Sequence, residues 1–442
     1  MKLGKYLLVL LIGLMVNTSV KAQFLMDMID TTTNLGKGMF SMYKKFDALR
    51  LSGYIQPQFQ YASSKGEQGY AGGNFPNEVD NRFMLRRGRL RVDYARYDKE
   101  GMPIVSFAFQ FDGTERGVNI RDFYGRFFEN KYNVLSISAG MFARPVGYEV
   151  NLSSGDRETP ERGRMSQILM RTERDLGVMA TFEPRKPSHP LYGFKLDVGA
   201  FNGQGLTGPA DFDSHKDIGA RAAVKPFVMG ARKKMIFSAG ISTWYGGMEQ
   251  FTNNIYRMST SSTGSPVFVV SSDSTNIGKI APRHYYGADA QLKIKNKKGF
   301  TEFRAEYLRG TQTATANTTE TPGIIPIDAS GKYAPLYIRN FDGAYIYFLQ
   351  HLGNTTDQVV LRYDWYDPNK KVKGKEVGAA GSNTTAADVR YDTFGFGYVH
   401  YFNEHFKFTL YYDLVRNEGT SLLGVQEDLK DNVLTARLQF RF

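Results

Sequence analysis

Three arginines, Arg87, Arg89 and Arg91, alternate with other residues in the stretch RRGRLRV. In an extended strand, alternate residues lie on the same face about 7 Å apart, so their guanidinium groups would form a track of positive charge. Arginine stays charged in proteins and binds oxyanions through paired donors. The spacing therefore predicts that this chain attracts and guides anions, and it does not indicate a bond-making reaction.

The element that must hold these arginines is a strand with one apolar face, and similar strands recur from about residue 51 to the end of the chain. Each predicted strand has about the length that a tilted strand needs to cross a bilayer, and their even number is typical of bacterial barrels. The sequence therefore predicts an all-β fold, a transmembrane antiparallel β-barrel of about sixteen strands. The predicted strands lie near 51–62, 82–97, 102–112, 118–129, 133–143, 175–183, 192–202, 217–228, 234–245, 284–296, 299–310, 341–350, 357–366, 391–401, 405–416 and 432–442.

The connections alternate between short turns and long polar loops, and only the link at 113–117 breaks the alternation. This asymmetry predicts short periplasmic turns and long extracellular loops. Both ends of the barrel then lie on the short-turn side, so the last strand, LTARLQFRF, must pair with the first to leave no open edge in lipid. The predicted long loops are 63–81, 144–174, 203–216, 246–283, 311–340, 367–390 and 417–431.

The first residues indicate export. Lys2 and Lys5 precede an apolar run, and the small-residue site Val20-Lys21-Ala22 follows, which predicts a signal peptide over 1–22. Residues 23–50 have helical rather than alternating spacing and predict a short periplasmic segment or a tether, before a barrel over 51–442. No later stretch offers about 18 uninterrupted apolar residues, so strands rather than helices are expected to cross the bacterial outer membrane.

Other classes of function find little support in the residues. The chain has no Cys, which excludes disulfides and thiol catalysis. The net charge of +12 could attract nucleic acid, but export makes that partner the least expected one. No Ser elbow or paired-His metal motif is present, and the glycines at 203–208 are not followed by a helix. We therefore predict no enzyme, no catalytic residues, no metal and no cofactor.

The apolar residues of each strand should face lipid, which turns the polar residues toward the lumen. Acidic residues share these inward faces, so the basic residues could instead be neutralised in a structural ion-pair lattice, and both interpretations stay open. The predicted basic lumen residues beyond the first track are Arg221, Lys225, Arg304, Arg362, Arg437 and Arg441. The inward acids are Asp93, Asp122, Asp197, Asp289, Glu302, Glu306, Asp364 and Asp413.

The loop 144–174 is the richest in arginine and contains no Lys. A loop of this length after the fifth strand could fold into the lumen and set its narrowest point, where a few side chains decide what passes. A solvated external loop is the alternative. The candidate constriction residues are Arg144, Arg157, Arg162, Arg164, Arg171 and Arg174.

Several stretches, in order along the chain, together resemble one family, the phosphate-selective porins O and P. They are 52–56 (SGYIQ), 83–90 (FMLRRGRL), 140–147 (GMFARPVG), 174–178 (RDLGV), 199–205 (GAFNGQG) and 361–364 (LRYD). The likeness runs from about residue 50 to 442. It implies a homotrimeric barrel of sixteen strands, with an inward third loop and an arginine ladder that draws anions to a constriction.

The sequence departs from the family pattern at one position, because Ala143 stands where the family often has Lys. We therefore predict an outer-membrane porin that passes small hydrophilic solutes by diffusion, with a preference for anions and with phosphate as one candidate permeant. Outer-membrane lipid is its expected surroundings. The alternative is a barrel that does not conduct and that binds a ligand or a surface partner through its long loops.

Overall fold

The computed structural model describes residues 48–206, 211–230, 234–353 and 355–442. The chain divides into a unit of Met1–Arg50 and a unit of Leu51–Phe442. The predicted signal peptide and nearly all of the segment 23–50 lie outside the described residues and stay predictions. Among the described residues, no helix combines the length and the apolar character needed to cross a membrane.

The described residues form eighteen strands and one short α-helix, α1 (Arg164–Leu169). The strands are β1 (Leu49–Ala62), β2 (Asn81–Tyr97), β3 (Pro103–Thr114), β4 (Gly117–Phe128), β5 (Leu135–Ala143), β6 (Arg174–Phe182), β7 (Phe194–Phe201), β8 (Asp217–Met229), β9 (Met235–Glu249), β10 (Asn254–Thr260), β11 (Pro266–Ser272), β12 (Ile280–Asn296), β13 (Gly299–Ala314), β14 (Leu336–His351), β15 (Asp357–Asp367), β16 (Tyr391–Tyr401), β17 (Phe406–Asn417) and β18 (Val433–Arg441).

Sixteen of these strands close into an antiparallel barrel, which confirms the predicted fold class. Consecutive strands pair along the chain, β9 pairs directly with β12, and β18 returns to pair with β1. At this seam Tyr54 lies opposite Arg441 and Ala62 lies opposite Val433. Closure gives each of these strands a hydrogen-bonded neighbour on both sides, as hydrocarbon surroundings require.

The remaining strands, β10 and β11, form a hairpin in the connection between β9 and β12. Ile255 and Arg257 of this hairpin also pair in parallel with Leu336 and Ile338 at the start of β14. The predicted long loop over 246–283 is therefore present between Glu249 and Ile280, but it contains two strands that the sequence analysis did not predict. Each of the two strands has only seven residues, too few to show a transmembrane alternation, and Ser and Thr gave the stretch a loop-like composition.

The two faces of the barrel strands follow the predicted alternation. On β13, Phe303 is 43% exposed on the outer face, whereas Arg304 beside it is 8% exposed on the inner face. Large apolar side chains repeat on the outer face of strand after strand, as contact with hydrocarbon favours. The alternation thus fixes which residues can reach the interior.

The last residue closes the barrel next to Gly53. The two residues exchange backbone hydrogen bonds of 3.2 and 3.1 Å, so the seam continues past the end of β18. A Cβ atom at Gly53 would lie 2.4 Å from the backbone oxygen of Arg89, which is too close for any side chain, and 2.6 Å from Cζ of Phe442. Gly53 therefore leaves the space in which the terminal aromatic ring lies.

Candidate functional site

Residues 144–173, between β5 and β6, are called the inner loop below, because they pack against inward-facing side chains of the barrel. The buried carboxylate of Glu161 contacts three guanidinium groups of the wall: Arg86 at 2.9 Å, Arg87 at 2.6 Å and Arg437 at 2.9 Å. Burial alone would raise the pKa of Glu161, but these three arginines hold it well below its ordinary value of 4.5. Glu161 is therefore charged at neutral pH and fastens the loop to β2 and β18.

A second anchor joins the inner loop to β13. Glu158 binds Arg304 through two contacts of 2.8 and 2.9 Å. Burial opposes the charge on Glu158, yet Arg304 lowers the pKa of this carboxyl group below its ordinary value. On the same strand, Glu306 accepts hydrogen bonds from the backbone N–H groups of Tyr148 and Glu149 at 2.9 and 3.1 Å.

Hydrogen bonds that do not involve a carboxylate hold the stretch near Ser154. The hydroxyl groups of Tyr54 and Ser154 lie 2.6 Å apart. The ammonium group of Lys407 donates to the carbonyl oxygens of Gly155 and Arg157 at 3.1 and 2.8 Å. Together with the two carboxylate anchors, these contacts fix the inner loop on one side of the barrel. We call this side the docked wall: β1, the Arg86–Arg87 part of β2, β13–β15, β17 and β18.

The predicted arginine track lies on the inner face of β2, but its members have different surroundings. Arg87 binds Glu161 of the inner loop, and Arg89 binds Asp112 at 3.1 Å. Arg91 is more exposed and lies 2.8 Å from both Asp93 and Asp122. For Arg87 and Arg89, this geometry favours the ion-pair lattice over a free track.

The six predicted constriction arginines lie at different places in and beside the inner loop. Arg144, Arg157, Arg162 and Arg164 are buried, whereas Arg171 is exposed and Arg174 is partly buried at the start of β6. Among the described residues, Nε and Nη1 of Arg157 have no hydrogen-bond partner. Each of the other five has a partner. The pairs are Arg144 with the ring of Trp244 at 5.3 Å, Arg162 with Glu173 at 3.1 Å, Arg164 with the ring of Tyr391 at 3.8 Å, Arg171 with Glu320 at 2.6 Å and Arg174 with Asp122 at 2.7 Å.

The other predicted basic lumen residues are all paired with acids. The pairs are Arg221 with Asp289 at 2.6 Å, Lys225 with Glu183 at 3.3 Å, Arg304 with Glu158 at 2.8 Å, Arg362 with Asp413 at 2.8 Å, Arg437 with Glu161 at 2.9 Å and Arg441 with Asp156 at 2.7 Å. Three of these pairs, those of Arg304, Arg437 and Arg441, use a carboxylate of the inner loop. The loop thus neutralises part of the wall on which it lies.

A cavity of about 370 Å³ is lined by the inner loop, by strands β4–β8 and by Arg91 of β2. We call strands β4–β8 the open wall. Five basic side chains and two acidic ones line it, and two further acids, Asp93 and Asp289, bind Arg91 and Arg221, so the basic side chains outnumber the acids by one. The basic residues are Arg91, Arg126, Arg174, Lys195 and Arg221, and the acidic residues are Asp122 and Asp197.

A second cavity of about 320 Å³ lies nearer the long-loop end of the barrel, beside the turn between β3 and β4. Arg86, Arg121 and Arg174 supply its basic lining, and Asp112 and Glu173 its acidic lining. Because Arg174 lines both cavities, they meet at this side chain.

Two basic residues of the first cavity, Arg126 and Lys195, were missed by the sequence analysis. Arg126 donates to the hydroxyl of Ser138 at 2.7 Å and makes no ion pair within the described part of the chain. Lys195 lies 2.8 Å from Asp197. Strand alternation could have found both, since Arg126 shares the inner face of β4 with Asp122, and Lys195 that of β7 with Asp197.

Comparison with protein families gives a match to the model described as phosphate-selective porin O and P, over residues 66–442. A comparison with curated proteins finds no match. Among solved structures, the chain is similar to an anion-selective porin from Comamonas acidovorans, with 13% identity, a TM-score of 0.52 and coverage of 89% of this chain and 99% of that chain. It is also similar to OprB from Pseudomonas putida in a high-pH structure, with 10% identity, a TM-score of 0.56 and coverage of 93% and 98%.

Proposed function

Because the chain belongs to the phosphate-selective porin O and P family, it is a channel protein of the bacterial outer membrane and not an enzyme, and we propose that it passes small anions between the inner loop and the open wall. The observation that carries this proposal is the lining of the first cavity, in which five basic side chains accompany two acids. A passage with this excess of positive charge concentrates anions and repels cations. The inner loop forms the constriction.

The basic residues divide into two groups under this proposal. Arg87, Arg304 and Arg437 bind carboxylates of the inner loop and serve to hold the constriction in place. The permeation path uses Arg91, Arg126, Arg174, Lys195 and Arg221, with Arg174 where the two cavities meet.

Phosphate is one permeant that we propose, because the family carries it in its description. The similar porin from Comamonas acidovorans is described as anion-selective, which agrees with the sign of the charge in the cavity. We also propose a homotrimer in outer-membrane lipid, on the resemblance to the family. Small anions as a class are the conclusion that the cavity lining supports most directly.

The test is a planar bilayer recording with the purified protein in a gradient of potassium chloride. We expect ohmic steps and a reversal potential biased toward chloride. Replacing Arg126 by Gln removes the one cavity cation without an ion pair among the described residues, and should lower the chloride-to-potassium permeability ratio roughly two- to fourfold at low salt. A reversal potential biased toward potassium would contradict the proposal, and the absence of steps would favour the non-conducting alternative.

A matched control is Arg116→Gln, which removes the same charge from the turn between β3 and β4. The side chain of Arg116 is 77% exposed and lines neither cavity. We expect this variant to conduct with the selectivity of the unmodified protein. An equal loss of selectivity in both variants would show that the overall charge of the barrel, and not the cavity, decides which ions pass.

A further inference from the structure

The first cavity has an apolar side as well as a charged one. Its charged side chains come from the barrel strands, whereas Pro145, Tyr148 and Leu152 come from the inner loop. Tyr148 and Leu152 are partly exposed to the cavity rather than buried in the loop. Exposed apolar surface is unfavourable in water, and a small inorganic ion gains nothing from it.

The backbone of the inner loop sets where these apolar side chains lie. The N–H groups of Asn151 and Leu152 both donate to the carbonyl oxygen of Tyr148 at 3.1 Å, which is one helical turn. Residues four apart on such a turn lie on the same side, so Tyr148 and Leu152 form one apolar face. The hydrogen bond from the N–H of Tyr148 to Glu306, 2.9 Å, fastens this turn to β13.

Three barrel strands add apolar and aromatic side chains to the cavity lining. Tyr124 of β4, Phe142 of β5 and Met179 of β6 also line the cavity. The rings of Tyr124 and Phe142 pack edge to face with their centroids 5.6 Å apart. The cavity therefore offers cations for an acidic group and, in the same lining, apolar and aromatic side chains.

We propose that the preferred solute of this channel is a small organic anion, a carboxylate or phosphate monoester attached to an apolar or aromatic body. Its acidic group binds Arg126, which makes no ion pair among the described residues, and its body lies against Tyr148 and Leu152. The volume of about 370 Å³ falls within the range of roughly 300–1,000 Å³ that is usual for small-molecule sites. This inference rests on the proposed anion channel and names the class of its solute.

The first test compares ions that share an acidic group and differ only in the body. Phenyl phosphate against inorganic phosphate, and benzoate against acetate, are added to chloride-conducting channels at a pH at which the members of each pair carry the same charge. Burial of the phenyl ring should lower the half-blocking concentration roughly tenfold within each pair. Equal block by the two members of each pair would overturn the inference.

The second test removes the apolar face at one position. Leu152→Ser should weaken the block by phenyl phosphate severalfold more than it weakens the block by inorganic phosphate. The matched control is Leu423→Ser, since Leu423 is 95% exposed on the loop between β17 and β18. A loss of phenyl phosphate block in the control variant, or its retention in Leu152→Ser, would contradict the assigned site.

Failure of the inference and failure of the proposed function give different results. A channel without chloride preference would overturn the anion channel itself. A channel that prefers chloride but does not distinguish phenyl phosphate from inorganic phosphate would leave the anion channel in place and overturn only the solute class.

Discussion

The docked wall and the open wall present the same kinds of inward-facing residues, yet their surroundings differ. On the docked wall, Arg87, Arg304 and Arg437 are each at most 8% exposed and bind carboxylates of the inner loop. On the open wall, Arg126 and Arg221 are partly exposed and line a cavity, and only Arg221 of the two makes an ion pair among the described residues, with Asp289 of β12. The difference is made by the inner loop, which lies on one side of the barrel and leaves the other uncovered.

This comparison separates two uses of an inward arginine. A guanidinium that is buried against a carboxylate has its charge cancelled at short range and holds the loop in place. Arg126 faces the cavity without an ion pair among the described residues and keeps its charge available to a passing ion. The acids of the inner loop that contact the docked wall, Glu158 and Glu161, decide which use applies.

The largest effect is expected from the substitution Glu161→Gln, which should weaken the attachment of the inner loop to the docked wall. It removes the carboxylate that Arg86, Arg87 and Arg437 share, and leaves the buried guanidinium groups of Arg87 and Arg437 and the partly exposed one of Arg86 without it. Breaking a buried ion pair by removal of one partner is expected to reduce the free energy of unfolding by about 3–5 kcal/mol. Heat-induced loss of the folded gel mobility measures this change, and noisier single-channel currents should accompany it as the loop loosens.

A suitable control is Glu404→Gln, because the side chain of Glu404 is 86% exposed on a short turn. This variant should unfold at the temperature of the unmodified protein. If Glu161→Gln unfolded at that temperature too, the inner loop would not depend on the carboxylate, and the distinction between the two walls would lose its physical basis.

Sequence analysis could predict the barrel because the bilayer imposes a period of two on every strand. The strand predicted over 391–401 has the same bounds as β16, and several others differ at their ends by one or two residues. Side-chain direction followed from the same period, as Phe303 and Arg304 illustrate. These features depend on neighbours in the chain, which a single sequence displays.

The partners of the inner loop could not be predicted in this way. Glu161 and Arg437 lie 276 residues apart, and no local pattern states that they meet. The helix α1 has only six residues, too few to show a period, and the hairpin of β10 and β11 is hidden in a Ser- and Thr-rich stretch. The arginines were therefore identified as inward, while their division between anchors and cavity had to come from the structure.

Acid should weaken the contact between the inner loop and the docked wall over a pH range that is set by two carboxylates of the loop. The pKa values of Glu158 and Glu161 lie below the ordinary 4.5, so their contribution to docking is complete above that pH and is lost as the pH falls through the lowered values. The part of the single-channel noise that depends on these two carboxylates should therefore be absent above the ordinary pKa and appear only as the pH falls below it. The acid-induced rise should be smaller in Glu161→Gln than in the unmodified protein; an equal rise in that variant would contradict the charged anchors.

The smallest effect is expected when a neutral pair is removed from the open wall by the double substitution Lys195→Gln with Asp197→Asn. The two charges lie 2.8 Å apart, so their removal leaves the net charge of the cavity unchanged. If net charge determines selectivity, the chloride-to-potassium permeability ratio should change by less than about 1.5-fold, against roughly two- to fourfold for Arg126→Gln. A large loss of chloride preference in the double variant would instead identify Lys195 as a specific binding site for the ion. In that case the open wall would select anions by local contacts rather than by the net charge of the cavity lining.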